Sequence, residues 1–218
     1  MSQPIYLASQ SPRRRQMLAW LLPSFTAGSA DVDESPLPGE TPQHTALRLA
    51  RDKALALTET ANGRLVLAAD TVVELDGIAL GKPGDAAEAC VMLTALQGRA
   101  HTVYTAVALH TPHGDVTARY VTTRVQMRAY SDAEIHAYIT TGDPLDKAGA
   151  YAIQHSLFRP VARLERCYAN VVGLPLCAVR ALLAEAGYPL NQDLPAPCRK
   201  HFAYRCPATD EGIEGIML

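Results

Sequence analysis

Three groups of residues in this chain carry chemistry that a plain globular fold does not require. The first is SQSPRRR, residues 9–15, set between a short apolar stretch and an amphipathic run. A strand handing over to a helix presents unsatisfied backbone N–H groups and the positive end of the helix dipole, so the point attracts anions. Two serine hydroxyls and three arginines add donors suited to phosphate oxygens. Crowded positive charge at a helix start is unfavourable without a counter-anion, which favours a phosphate site over a solvated basic turn. The glycines and the Lys-Ser/Thr pair of a Walker A motif are absent.

The second is Asp70, inside LVLAADTVVEL, residues 65–75. A carboxylate among branched apolar residues is costly unless paired, solvated or bound to metal. It is either a metal ligand or general base, or an acid at a strand end facing water. The third is a scatter of charge: Lys53 beside Arg51 and Asp52, Lys82 in Gly-Lys-Pro, and Lys147 in Asp-Lys-Ala-Gly. Each alone reads as a surface lysine; together with residues 9–15 they offer the dispersed positive charge a polyphosphate needs. Asp33 and Glu34, in an acidic loop, could join Asp70 around Mg²⁺ or Mn²⁺, because hard cations take oxygen ligands; taken by itself the loop reads as simply solvated. Cys198, His201 and Cys206 supply three potential zinc ligands at irregular spacing where about four are needed, so an unstructured tail is preferred.

The elements that must position these groups alternate between strand-like and helix-like, which predicts a mixed α/β domain. Residues 5–8 read as a buried strand. A helix over 13–22 has Ser11 as its cap and Pro12 at its first position. After a proline-rich acidic loop at 29–42, Thr41-Pro42 opens a helix to about residue 58. Residues 65–75 form a strand that turns at Asp76-Gly77 into 78–80, and a helix runs from Gly84-Asp85 to about 96. Long strands at 99–111 and 115–128 precede a helix opened by the capping box Ser131/Glu134. Residues 142–154 read as a loop entering a short strand, and 174–187 as a last amphipathic helix. Residues 1–189 are thus one domain and 190–218 a poorly ordered tail.

Composition narrows the function. Net charge is −2, with 48% apolar and 19% charged residues, so neither nucleic acid nor anionic lipid is gathered by bulk charge. No apolar run approaches the roughly 20 residues that span a bilayer. Five scattered cysteines, an odd number, suggest a reducing compartment, and the expected location is the cytoplasm.

Six blocks in order, LASQSPRRRQML, LARDKA, AADTVVELDGIALGKPGDAAEA, LQGRAHTVYTAVAL, DKAGAYAIQ and NVVGLPL, resemble the Maf family of nucleoside triphosphate pyrophosphatases. The resemblance covers residues 4–187. It implies an α/β, ITPase-like mixed twisted sheet with flanking helices and a cleft between two lobes, and members that are often homodimers. It also implies hydrolysis of a nucleoside triphosphate to the monophosphate and pyrophosphate with Mg²⁺ or Mn²⁺.

Position by position, Asp70 matches the family's catalytic acid. Ser9, Arg13 and Arg14 match its phosphate motif, while Glu34, Lys53, Lys82 and Lys147 match charged cleft residues. The resemblance and the oxygen chemistry together suggest Asp70 and Glu34 for the metal. Arg13, Thr71 and Gln154 match the branch acting on dTTP and UTP. The alternatives are 7-methyl-GTP or modified nucleotides as substrate, or a nucleotide-binding cell-division regulator with little turnover. Gln154 carries a donor and an acceptor together, which suits the imide edge of uracil or thymine. The chain departs from the family after Gln154, where HSLFRPVARLERCY replaces a stretch that is commonly glycine-rich.

Overall fold

The computed structural model describes residues 5–190 and 196–202. One mixed sheet organises them. Its strands are β1 (Ile5–Ala8), β2 (Phe25–Gly28), β3 (Val66–Leu75), β4 (Ile78–Leu80), β5 (Ala100–His110), β6 (Val116–Met127) and β7 (Val161–Glu165). The order is β2-β1-β3-β5-β6-β7, with β4 also paired to β3. The β1/β2 and β1/β3 pairs are parallel, and every pair from β3 onward is antiparallel.

Alternation along β3 divides the interior. Leu65, Leu67 and Ala69 point into a cluster with Met17, Leu18, Val179 and Leu182. Val66, Ala68 and Val72 point the other way, against Ala46, Ala50 and Ala54 of α2 (Pro42–Ala56). The side-chain period of two therefore puts Asp70 on the α2 face. Beyond it, Val73 and Leu75 enter a third cluster with α4 (Ala86–Leu96) and α5 (Asp132–Thr140). Each fully buried leucine in these clusters contributes about 1.5–3 kcal/mol, so the sheet's central strand is firmly held.

The expected caps are present at most helix starts. Ser11 accepts from the Arg14 N–H at the head of α1 (Pro12–Ala19), with Pro12 in the first turn. Asp85 caps α4, and Ser131 and Glu134 form the capping box of α5. Thr41 stands at the head of α2 but makes no side-chain cap.

Several expectations are corrected. The first helix stops at Ala19, not residue 22. The second breaks at Leu57 and resumes as α3 (Thr58–Ala61). No strand forms at 151–154; that segment follows two 3-10 turns, Asp143–Asp146 and Ala148–Ala150. The strands β2 and β7 and the short helix α6 (Tyr168–Val172) carry too little periodicity to be read from sequence. The last long helix, α7, is Leu176–Glu185.

The tail also differs from expectation in its described part. Residues Ala196–Phe202 form a helix, α8. The His201 ring stacks on Trp20 with centroids 4.0 Å apart, and Phe202 meets both Trp20 and Tyr168. Cys198 and His201 fall within this helix, and Cys206 lies outside the described residues.

Candidate active site

A cleft of about 820 Å³ opens where the sheet is interrupted. On one edge of β3, β1 pairs with Val66–Ala68 and β4 pairs with Val73–Leu75. Among the described strands none covers residues 69–72 on that edge. Ligand sites in open α/β sheets favour such discontinuities. Asp70 lies in the gap, which explains how a strand tolerates it: β5 pairs its backbone on one side while its carboxylate opens toward the cleft.

Asp70 is buried, and its carboxylate does not stand alone. Lys53, reaching over from α2, places Nζ 2.6 Å from Asp70 Oδ1 and 2.6 Å from Glu34 Oε1. Lys82 Nζ is 3.7 Å from the other Glu34 oxygen. Burial pushes the Asp70 carboxyl above its ordinary range, opposed by the charges of Lys53 and Arg14. Burial acts in the same upward direction on Glu34. There Lys53, Lys82 and Arg14 outweigh it and hold the carboxyl below its usual value. The two acids are thereby given different tendencies to take a proton.

Next to Glu34, the Ser35 carbonyl accepts from Arg48 Nη2 at 3.0 Å. Glu40 accepts from Arg48 Nε and Nη2 at 2.8 and 2.9 Å, from Thr45 Oγ1 and from the Leu37 N–H, pinning the loop to α2. Asp33, by contrast, is exposed, accepts from the Ser35 N–H and does not line the cleft.

A second charged cluster lines the same cleft. Lys147 Nζ lies 2.5 Å from Asp146 Oδ1 and 2.8 Å from Asp143 Oδ1, and Arg13 approaches Asp143 at 3.9 Å. The turn that carries it is packed closely. Gly149 has φ +67, and a Cβ there would meet Val73 Cγ1 at 3.0 Å. Tyr151 closes this side of the cleft, with its hydroxyl 2.8 Å from the Nε2 atom of buried His101.

Ser9, Arg13, Arg14, Glu34, Lys53, Asp70, Thr71, Lys82 and Lys147 all line the cleft, although they come from distant parts of the sequence. Gln154 does not; its side chain is exposed, three residues past Tyr151. Ser9 lies just past the end of β1, and its hydroxyl accepts from the Ser11 N–H at 3.2 Å. Arg14 has three protein partners: Gly173 O at 2.8 Å, Ala69 O at 2.6 Å and Thr71 Oγ1 at 3.0 Å.

Sequence reasoning missed Asp143, Asp146, Glu40 and the His101–Tyr151 pair. The acids stand four and one positions before Lys147, a spacing that could have marked them as its partners.

Among the described residues no group of three or more His, Cys, Asp and Glu side chains is arranged around a metal position. Of the cleft's carboxylates, those of Asp70 and Glu34 converge on Lys53 Nζ. Mg²⁺ commonly takes one or two carboxylates and completes its shell with phosphate oxygens and water, so this pair fits such an ion in company with a triphosphate.

The family profile described as Maf-like protein matches residues 4–186. The chain belongs to the Maf family. Among its relatives is a protein of Myxococcus xanthus (strain DK1622) named dTTP/UTP pyrophosphatase. It is 51% identical over 186 residues, covering 85% of this chain and 94% of the relative. A relative in Anaeromyxobacter dehalogenans (strain 2CP-1) with the same name is 48% identical, over 89% of this chain and 100% of its own length. One in Geobacter metallireducens is 46% identical, over 80% and 92%. Maf-family membership thus covers every cleft residue described above. No helix among the described residues is long and apolar enough to cross a membrane.

Proposed function

We propose that this Maf-family chain hydrolyses dTTP and UTP to the nucleoside monophosphate and pyrophosphate. The observation that carries the reading is Asp70, a buried carboxylate in the strand gap with raised proton affinity, held against Lys53 in a cleft lined with cations. The relatives named dTTP/UTP pyrophosphatase support the substrate class.

In this reading Asp70 accepts a proton from a water that attacks the α-phosphorus. The new P–O bond forms as the bond from the α-phosphorus to the bridging oxygen breaks, and pyrophosphate leaves with the electron pair. A raised proton affinity suits a general base, since transfer is most effective when the base's pKa approaches the working pH. Lys53, Lys82, Arg13, Lys147 and the N–H groups at the head of α1 stabilise charge on the departing pyrophosphate. Mg²⁺ or Mn²⁺, held by Asp70 and Glu34, would neutralise triphosphate charge when bound. Arg13, Thr71 and Gln154 remain the specificity residues on family resemblance, with Gln154 outside the cleft lining in this conformation. A homodimer and a cytoplasmic location belong to the same reading.

The test is pyrophosphate release from a panel of triphosphates with Mg²⁺ and with Mn²⁺. Preference for dTTP and UTP over CTP, GTP and 7-methyl-GTP is expected. Preference for a purine nucleotide would refute the base assignment while keeping the reaction. Tight binding with no release for any nucleotide would refute the reaction itself.

A further inference from the structure

Under the floor of the cleft runs a hydrogen-bonded chain whose proton directions are fixed by its ends. Arg14 Nη2 can only donate, and it lies 3.0 Å from Thr71 Oγ1. Thr71 Oγ1 is 2.9 Å from Thr105 Oγ1. Thr105 Oγ1 donates to the Asn170 carbonyl at 2.8 Å, and a carbonyl can only accept. Each threonine has one proton. Thr105 spends its proton on Asn170, so the proton between the two threonines belongs to Thr71. The Thr71 hydroxyl is then committed as a donor inside the protein and keeps one lone pair for the cleft.

The chain is anchored at both ends. Asn170 and Thr105 are fully buried, and Asn170 Nδ2 donates to Val103 O and Thr123 Oγ1 at 2.9 Å each. Arg14 also donates to Ala69 O, in the strand gap, and to Gly173 O. Ala69 and Thr71 are the two neighbours of Asp70, so Arg14 grips both sides of the catalytic candidate. Gly173 makes room for this grip. Its φ is +113, and a Cβ would lie 3.3 Å from Thr71 Oγ1 and 3.4 Å from Arg14 Nε.

We infer that Arg14, Thr71, Thr105 and Asn170 form a positioning relay that holds the open stretch of β3, and with it Asp70, in register with the cleft. This deepens the reading of the site as a pyrophosphatase and rests on it. Arg14 serves the peptide on either side of Asp70 rather than the triphosphate, and Thr105, which has no contact with the cleft, governs turnover through Thr71.

Two substitutions at one buried position separate the hydroxyl from the packing. Thr105→Val keeps the shape and removes the relay. Its kcat should fall about tenfold or more, with KM for UTP within about threefold of wild type. Thr105→Ser restores the hydroxyl but loses a methyl; its kcat should recover to within about threefold of wild type even where its Tm is lower than that of the valine variant. A valine variant with undiminished kcat, or a serine variant that falls as far as the valine one, would overturn the relay.

Arg14→Lys covers the case in which Thr105→Val fails to fold. A lysine's three N–H donors sit on one nitrogen, so it cannot span the separate positions that Arg14 reaches with Nε, Nη1 and Nη2. Binding of α,β-imido-UTP, measured by calorimetry, should stay within about threefold of wild type while kcat falls. Weakening of that binding by about thirtyfold or more would make Arg14 a phosphate contact and overturn the assignment. Because the calorimetric arm needs no turnover, it judges Arg14 even if the wild-type protein releases no pyrophosphate, which would instead defeat the pyrophosphatase reading.

Discussion

Two of the lysines lining the cleft, Lys53 and Lys147, are each flanked by two carboxylates, and the two clusters are built in opposite ways. Glu34, Lys53 and Asp70 come from a loop, a helix and a central strand, while Asp143, Asp146 and Lys147 lie within a single turn. In the first cluster the Lys53 and Asp70 side chains are each 10% exposed and Glu34 is 49% exposed; in the second, Lys147 is 6%, Asp143 30% and Asp146 73% exposed. Water screens Asp146, so a phosphate can replace it beside the buried Lys147 at little cost. The first cluster has no such freedom. Removing one partner leaves a desolvated charge, typically costing about 3–5 kcal/mol. A locally built, half-solvated cluster suits exchange of ligands. A buried Lys53–Asp70 pair assembled from distant elements suits setting the proton affinity of one acid.

Replacing each lysine by methionine breaks the comparison most forcefully. Lys53→Met should lower kcat by about a hundredfold or more and depress the melting temperature, because Asp70 loses its counter-charge in the strand gap. Lys147→Met should chiefly raise KM for the triphosphate, by about tenfold, with kcat changed far less. Equal effects on kcat from the two variants in steady-state assays would dissolve the distinction.

The turn cluster leans on His101 through Tyr151, and that support is sensitive to acid. Burial holds the His101 imidazole at about 4, against an ordinary 6.5. The unfolded chain therefore takes up a proton at a pH where the folded one does not. Stability is lost as pH falls from 6.5 toward about 4, by up to about 3 kcal/mol, and this loss levels off below the folded value. His101→Gln, which retains a polar partner for Tyr151, should flatten that part of the profile in urea titrations. An unchanged slope between pH 6.5 and 4.5 would exclude His101 as its source.

The other side of the molecule leans on α8. A chain ended at Leu190 loses the rings stacked on Trp20 and Tyr168. A loss of about 2 kcal/mol is expected, lowering the melting temperature by roughly 4–8 °C while 25 °C turnover stays near wild type. Trp20, the sole tryptophan, should shift its emission to the red. Unchanged emission and melting would mean that α8 adds nothing to the fold.

How far the sequence revealed this site depended on how local each signal was. The strand with Asp70, the helix start with Ser11-Pro12 and the capping box Ser131/Glu134 are read from neighbours in the chain, and the structure has them. Asp70 was conspicuous because an acid is out of place in a buried strand. What made it tolerable, a gap between two edge partners filled by Arg14, depends on strand pairing that no local pattern encodes. From its neighbours alone Arg14 reads as a phosphate ligand; its three protein partners are set by the fold. The helix α8 escaped notice for a related reason: His201 and Phe202 are explained by Trp20, some 180 residues earlier, and by nothing near them.

The most direct measurement is single-turnover pyrophosphate release from UTP by Asp70→Asn, with α,β-imido-UTP binding followed on the same preparation. Asparagine keeps the size and one hydrogen-bond acceptor for Lys53 but cannot accept the proton from water. Release should slow by about a thousandfold or more while the affinity stays within about tenfold of wild type. Release at near wild-type rate from a correctly folded variant would contradict the assignment of Asp70 as the base and, with it, the role given to the strand gap.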